Sequence, residues 1–178
     1  SAAPHLLGAI DDPDSAVSRA AIDALGRIGA PAADALLKRL ITPDGAIRDD
    51  VVYALVGIGT PCIEPLARLA ETGGPVARAA QMRVLTLIGG EEVVVPLVEG
   101  LFDEASEVRT EAMRGIQAVG RPAVGALVER LKAAPGRVAV DRIATALARL
   151  REAALPDVVA LLESPDEGTT RVAADVLG

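Results

Sequence analysis

The sequence predicts an all-α fold, a solenoid of six stacked antiparallel helix pairs. Three observations predict it. The first is a period: Ile28-Gly29, Ile58-Gly59, Ile88-Gly89 and Val119-Gly120 fall 30, 30 and 31 residues apart. The second is a phrase that leads up to each mark. It reads Val17-Ser18-Arg19-Ala20-Ala21, Ile47-Arg48-Asp49-Asp50-Val51, Ala77-Arg78-Ala79-Ala80-Gln81 and Val108-Arg109-Thr110-Glu111-Ala112. The third is composition. Hydrophobic residues make up 51% of the chain and aromatic residues 1%. The core must therefore be Ala, Leu, Val and Ile, small enough for regularly stacked helices to approach closely. A period of about 20–50 residues marks a solenoid, whose units bury their apolar faces only against their neighbours.

Residues 30–59 serve as the reference repeat. Pro31 suits a first helical position, where its fixed φ helps and its missing N–H costs nothing. Leu36, Leu37 and Leu40 recur at helical spacing and give a first helix of about ten residues. Thr42-Pro43-Asp44-Gly45 is a turn, with Asp44 placed to cap the next helix. Ile47, Val51, Ala54, Leu55 and Ile58 share one face of the second helix, and Gly59 ends it as a left-handed C-cap.

The other repeats have the same plan. Repeat 1–29 carries Ala2, Ala3, Leu6, Leu7 and Ile10 before Asp12-Pro13-Asp14. Repeat 60–89 has Pro61, Leu66 and Leu69, then Thr72-Gly73-Gly74-Pro75. Repeat 90–120 has Leu97, Val98 and Leu101 with an acidic turn at Asp103-Glu104. Repeat 121–151 has Pro122, Leu127, Val128 and Leu131, then Ala134-Pro135-Gly136, and ends Leu150-Arg151 without a glycine. Repeat 152–178 has Val158, Val159 and Leu162, then Ser164-Pro165-Asp166, and its second helix from Arg171 to Gly178 echoes Arg19 to Gly26. The reading is one solenoid over 1–178. Terminal repeats need a polar outer face. The first helix shows none, and the last repeat stops three residues short of its Ile-Gly mark, so the chain reads as an excerpt of a longer one.

A proline or turn phrase followed by Val-Arg-x-Ala-Ala-x-x-Ala-Leu-x-x-Ile-Gly resembles the short HEAT repeat, in particular the bacterial phycocyanobilin-lyase-type HEAT-like subclass. The resemblance covers the whole chain, with six repeats in phase. It implies a right-handed superhelix whose second helices line a concave surface. It also implies that prolines inside first helices, here Pro65 and Pro96, bend them. Finally, it implies a ladder in which the Arg after the branched residue bonds an Asp of a turn. Arg48 with Asp44 fits. Arg78 has only Gly73-Gly74 in its own turn, and Ser18, Val140 and Thr170 replace the arginine elsewhere, so the ladder is expected to be broken.

On the second helix of the first repeat, helical spacing turns Val17, Ala21, Ala24, Leu25 and Ile28 to the core. The open face is then read as four stripes down the stack. The first is Arg19, Asp49, Ala79, Thr110, Asp141 and Arg171. The second is Ile22, Val52, Met82, Met113, Ala144 and Ala174. The third is Asp23, Tyr53, Arg83, Arg114, Thr145 and Asp175. The fourth is Gly26, Val56, Thr86, Gln117, Ala148 and Gly178. The second stripe is either an apolar track for an extended peptide or partner helix, with adaptable methionines, or packing between second helices. Arg83 and Arg114 either grip a carboxylate or phosphate, or are solvated, or pair with Asp50 and Glu111. Tyr53 is either an interface anchor or half-buried packing. The candidate partner-binding residues are Arg19, Ile22, Asp49, Val52, Tyr53, Val56, Met82, Arg83, Thr86, Thr110, Met113, Arg114 and Gln117.

Chemistry is thinly supplied. His5 is the single histidine and has no companion for zinc or for a nucleophile. Cys62 falls near a helix start, which can lower a thiol pKa, but no base accompanies it; a small packed side chain is the plainer reading. Asp49-Asp50 and Glu91-Glu92 diverge on a helix rather than facing one substrate. No glycine run matches a phosphate loop. A net charge of −7 and the lack of stacking aromatics speak against nucleic acid. No apolar run spans a bilayer. One cysteine fits a reducing compartment, and so the cytoplasm. The sequence therefore predicts a non-enzymatic scaffold without cofactor or metal that binds a protein or peptide on its concave second-helix face. Family analogy supplies two rivals, an accessory subunit of a chromophore lyase and a nucleic-acid-binding HEAT-like domain.

Overall fold

The computed structural model describes residues 3–133, 136–150, 153–164 and 167–177. Of the sequence readings, those on Ala2, Ala134-Pro135, Arg151, Pro165-Asp166 and Gly178 lie outside the described residues. The described chain is helical, with no β-strand. Its contacts divide it into two compact units, Ser1–Ile88 and Gly89–Gly178.

The first unit holds three helix pairs: α1 (Ala3–Ala9) with α2 (Ser15–Ile28), α3 (Ala30–Leu37) with α4 (Asp49–Ile58), and α5 (Ile63–Thr72) with α6 (Pro75–Ile88). A short 3-10 turn, Thr60–Cys62, leads into α5. The helices form two layers. First helices pack in series as α1, α3 and α5; second helices pack in series as α2, α4 and α6. The second unit repeats the scheme with α7 (Val94–Gly100) and α8 (Ser106–Val119), α9 (Pro122–Lys132) and α10 (Arg137–Leu150), and α11 (Leu155–Leu161) and α12 (Glu167–Leu177). There α7 packs on α9, and α8, α10 and α12 follow one another.

The core is aliphatic, as composition requires. Leu25, Leu36, Leu55, Leu66 and Leu85 are fully buried in the first unit, and Leu97, Ile116, Leu127, Ile143 and Leu147 in the second. Each such leucine contributes about 1.5–3 kcal/mol relative to leaving it exposed.

The repeat marks are conformational. Gly29, Gly59, Gly89 and Gly120 all have positive φ. Gly59 has φ 79° and ψ −146°, which is not the left-handed helical cap expected from the sequence. It is the mirror-extended region that only glycine occupies without strain. The chain leaves α4 there and turns directly toward the next pair. Pro65 and Pro96 are also corrected. Each is the third residue of its α-helix, in the first turn, where an N–H has no intrahelical acceptor to lose. They shape helix starts rather than bends.

Turn chemistry departs from the expected ladder. Asp44 does not cap α4, and it does not bond Arg48. Its carboxylate accepts from the Thr42 hydroxyl, while Thr42 Oγ1 takes the Ala46 N–H at 2.8 Å. Arg48 instead reaches back one repeat to Asp11 and to the Ile10 carbonyl, and it grips Asp50 from Nη2 at 2.8 Å. The same repeat position is satisfied in other ways elsewhere. Ser18 Oγ donates to the Ile10 carbonyl at 2.6 Å. Arg78 donates to the Gly73 carbonyl, and Arg109 to those of Asp103 and Glu104. Thr170 Oγ1 donates to the Ser164 carbonyl at 3.1 Å. Where Val140 offers no donor, Arg142 donates to the Leu101 carbonyl. A donor at this position bonds an oxygen in five of the six pairs; at Val140 the series is interrupted, and Arg142, two positions on, bonds the preceding pair instead.

Candidate second-helix surface

The second helices carry the candidate residues, and their buried faces are wider than the expected register. Ala21, Ile22 and Leu25 are buried on α2, whereas Val17 is 42% and Ile28 38% exposed. Ile22, Val52 and Met82 are 4%, 1% and 4% exposed, and Met113 is half-buried. The apolar stripe is thus packing, not a track, and Val52 and Met82 leave the set of contact residues. The cause is the second-helix layer itself. Because α2 packs on α4 and α4 on α6, the position between neighbouring second helices lies in a seam.

Among the candidate positions of the first unit, what remains open is polar except for Tyr53 and Val56. In the first unit Arg19, Asp23, Asp49 and Tyr53 are exposed; Val56, Arg83 and Thr86 are partly so. Tyr53 is 71% exposed, although its neighbours Val52 and Ala54 are buried. It stands between two depressions at the α2–α4 seam. One is about 500 Å³, lined by Ser15, Ser18, Arg19, Ile22, Asp23, Asp50 and Tyr53. The other is about 330 Å³, lined by Ile22, Asp23, Gly26, Arg27, Tyr53, Ala54 and Gly57. Ile22 floors both; the phenol ring is the ridge between them.

Charges around this ridge differ in how they are held. Asp49 is fixed by Arg83 Nη2 at 2.6 Å, across from α4 to α6. Asp50 is fixed by Arg48 on the other side of the same helix. Adjacent carboxylates thus diverge, as the helical spacing predicted. The Arg48 guanidinium holds the Asp50 carboxyl below the ordinary carboxylate range, chiefly by its hydrogen bond. Among the described residues, the side chains of Arg19, Asp23 and Arg27 enter no hydrogen bond or ion pair, so they face the depressions uncommitted. Sequence reasoning placed Asp23 on the right stripe but left it out of the candidate set. Ser15 and Arg27 it missed, because a groove between helices is not written in one helix's periodicity.

In the second unit, Thr110, Arg114 and Gln117 lie exposed on α8. Arg114 pairs with Glu111 one turn away. The two arginines of the third stripe are therefore each engaged by a carboxylate, and Arg83 takes Asp49 rather than Asp50.

Cys62 is wholly buried, with Sγ 3.5 Å from the Leu55 carbonyl. Burial pushes its thiol up to about 11, the opposite of activation. His5 lies exposed on α1. No group of three or more His, Cys, Asp or Glu among the described residues could hold a metal ion. Among the same residues, no single helix is long and apolar enough to cross a membrane.

The family described as HEAT repeats matches residues 1–56, which span the first helix pair and most of the second. No curated protein matches the chain. Among solved structures, a designed armadillo repeat protein is 20% identical, each chain covered over 98%, with a TM-score of 0.38. An engineered protein is 21% identical, covering 99% of this chain and 95% of that one, with a TM-score of 0.40. The complex of CpcE and CpcF of phycocyanin lyase from Nostoc sp. PCC7120 is 19% identical, covering 98% and 75%, with a TM-score of 0.42. The matched segment is a helix-pair repeat, and the same kind of pair recurs through both units.

Proposed function

We propose that this HEAT-like repeat protein is a non-enzymatic scaffold of the cytoplasm. It binds a partner protein or peptide through the second-helix face of its first unit. The observation that carries this reading is Tyr53. A phenol ring 71% exposed is costly to leave in water, and it rises between two depressions on a helical frame. Tyrosine suits such a place, because it offers a large amphipathic contact with few rotors to freeze. The frame is preformed, so little ordering free energy is lost on binding. Ile22 gives the grooves an apolar floor. Arg19, Asp23 and Arg27 at their walls are uncommitted polar groups that fix a ligand's register. Asp49, Val56, Arg83 and Thr86 extend the surface toward the third pair.

A photo-crosslinking residue at position 53, expressed in the native host, tests the reading. The control is the same residue at Val95, which is 62% exposed but lies on a first helix. Discrete adducts from position 53 and none from position 95 are expected. Equal or absent adducts would sink the assignment of the binding face.

A further inference from the structure

The two seams between second helices of the first unit are finished differently. In the α4–α6 seam, Asp49 of the first stripe meets Arg83 of the third at 2.6 Å. In the α2–α4 seam the same two positions hold Arg19 and Tyr53. A guanidinium stands opposite a phenol there, and no carboxylate among the described residues bonds it. The two depressions beside Tyr53 lie along this seam, and α2 and α4 supply their walls.

Each depression has its own uncommitted cation. Arg19 lines the first and Arg27 the second, while Asp23 and Tyr53 line both. Arg19, Asp23 and Arg27 are exposed and follow at i, i+4 and i+8 on α2. Helix geometry therefore sets their Cα atoms about 6 Å apart along one row. The other charge in the lining is already balanced. Asp50 shares Arg48 with Asp11, and Asp11 also holds Arg39, so two cations meet two anions. The row that is left is positive, negative, positive. Two arginines against one aspartate make it locally basic on a chain of net charge −7.

Given that the second-helix face of the first unit binds the partner, we propose that this row selects a partner helix. The helix presents acid, base, acid at the same spacing, as Glu-x-x-x-Lys-x-x-x-Glu. The walls offer charged groups and a phenol, not the run of neutral donors and acceptors that an extended main chain needs. A helix bonds its own backbone and lays one face in a groove. Apolar side chains beside its lysine cover Tyr53 and the Ile22 floor. Exposed charge pairs add little affinity. Their matching signs set register and reject partners of the opposite pattern. Tyr53 supplies the affinity, and the row supplies the choice.

Fluorescence anisotropy of two labelled, alanine-based helical peptides, titrated with the whole chain, tests this. One displays Glu-Lys-Glu at i, i+4 and i+8 with leucines beside the lysine; the other displays Lys-Glu-Lys on the same frame. The net charge of the chain favours the second peptide, so a preference for the first comes only from the local row. The parent is expected to bind the Glu-Lys-Glu peptide about tenfold more tightly at low salt, with the gap closing as salt screens it. Arg19→Glu/Asp23→Lys/Arg27→Glu is expected to invert the preference at unchanged helicity. If that variant fails to fold, Arg19→Gln/Arg27→Gln is expected to abolish the preference. Equal binding of the two peptides, binding of neither, tighter Lys-Glu-Lys binding by the parent, or a preference that survives these substitutions would each overturn the proposal. Crosslinking from position 53 separates such a failure from failure of the face: adducts that persist keep the face and discard only the row.

Discussion

Gly57 and Gly59 stand two residues apart and are expected to answer the same substitution with opposite signs. Gly57 is helical, and a methyl group there meets nothing within 4 Å. Gly57→Ala should stabilise by up to about 1 kcal/mol through helix propensity. Gly59 is equally uncrowded, but its mirror-extended backbone excludes alanine. Gly59→Ala should destabilise by about 1–3 kcal/mol. Chemical denaturation of both variants checks the pair. The periodic glycines were legible as helix ends because nothing else in the repeat stays so constant. Their actual backbone region was not, since a cap glycine and a mirror-extended glycine look alike in one-letter code. Cys62 behaves likewise: position alone allowed an activated thiol, and burial decides against it. The native thiol should resist a thiol reagent until unfolding. Its ordinary value is 9.0 and its folded value about 11. Below pH 9 the thiol is neutral in both states. As pH rises toward 11, the unfolded chain ionises first, so this group's contribution to stability is lost across that window. Cys62→Ala should remove that alkaline slope while losing some packing.

At the scale of the element, the Arg48 staple is the most informative contact. It ties α4 to Asp11 in the turn of the preceding pair and to Asp50 in its own first turn. Asp50 is held below its ordinary value of 3.8, first by the hydrogen bond from Arg48. A depressed carboxyl stabilises the fold above its unfolded value and loses that contribution as pH falls through the folded one. The urea midpoint of the parent should therefore fall below about pH 4 more steeply than that of Arg48→Met. The pair is partly exposed, so the difference should stay under about 1 kcal/mol. The sequence pointed to Arg48 as a ladder residue but matched it with Asp44, because the nearest acid in sequence is the easiest to see. The true partner lies a repeat away, and only the stacking distance selects it. The stripe of Ile22, Val52 and Met82 was left with two readings, track or packing, for a related reason. A 3.6-residue period fixes an angle on one helix, and cannot say whether a neighbouring second helix closes over that angle.

At the scale of the whole molecule, the helix pairs were legible from the period alone, since six copies of one phrase average out local ambiguity. The division after Ile88 also left a trace. It coincides with Gly89-Gly90, two successive glycines of positive φ, where the spacing between marks lengthens from 30 to 31. The proposed binding surface was only half legible. Tyr53 stood out as the single tyrosine, yet the grooves beside it belong to two helices at once. Each pair contacts mainly its neighbours, so the proposed binding face of the first unit stands on its own pairs. The most direct test of that face is the affinity for the partner recovered by crosslinking, measured for Tyr53→Ala and Val95→Ala in parallel. Tyr53→Ala should weaken binding at least about tenfold, a loss of about 1.4 kcal/mol, with Val95→Ala equal to the parent. Unchanged affinity in Tyr53→Ala, or equal losses in both, would contradict the account.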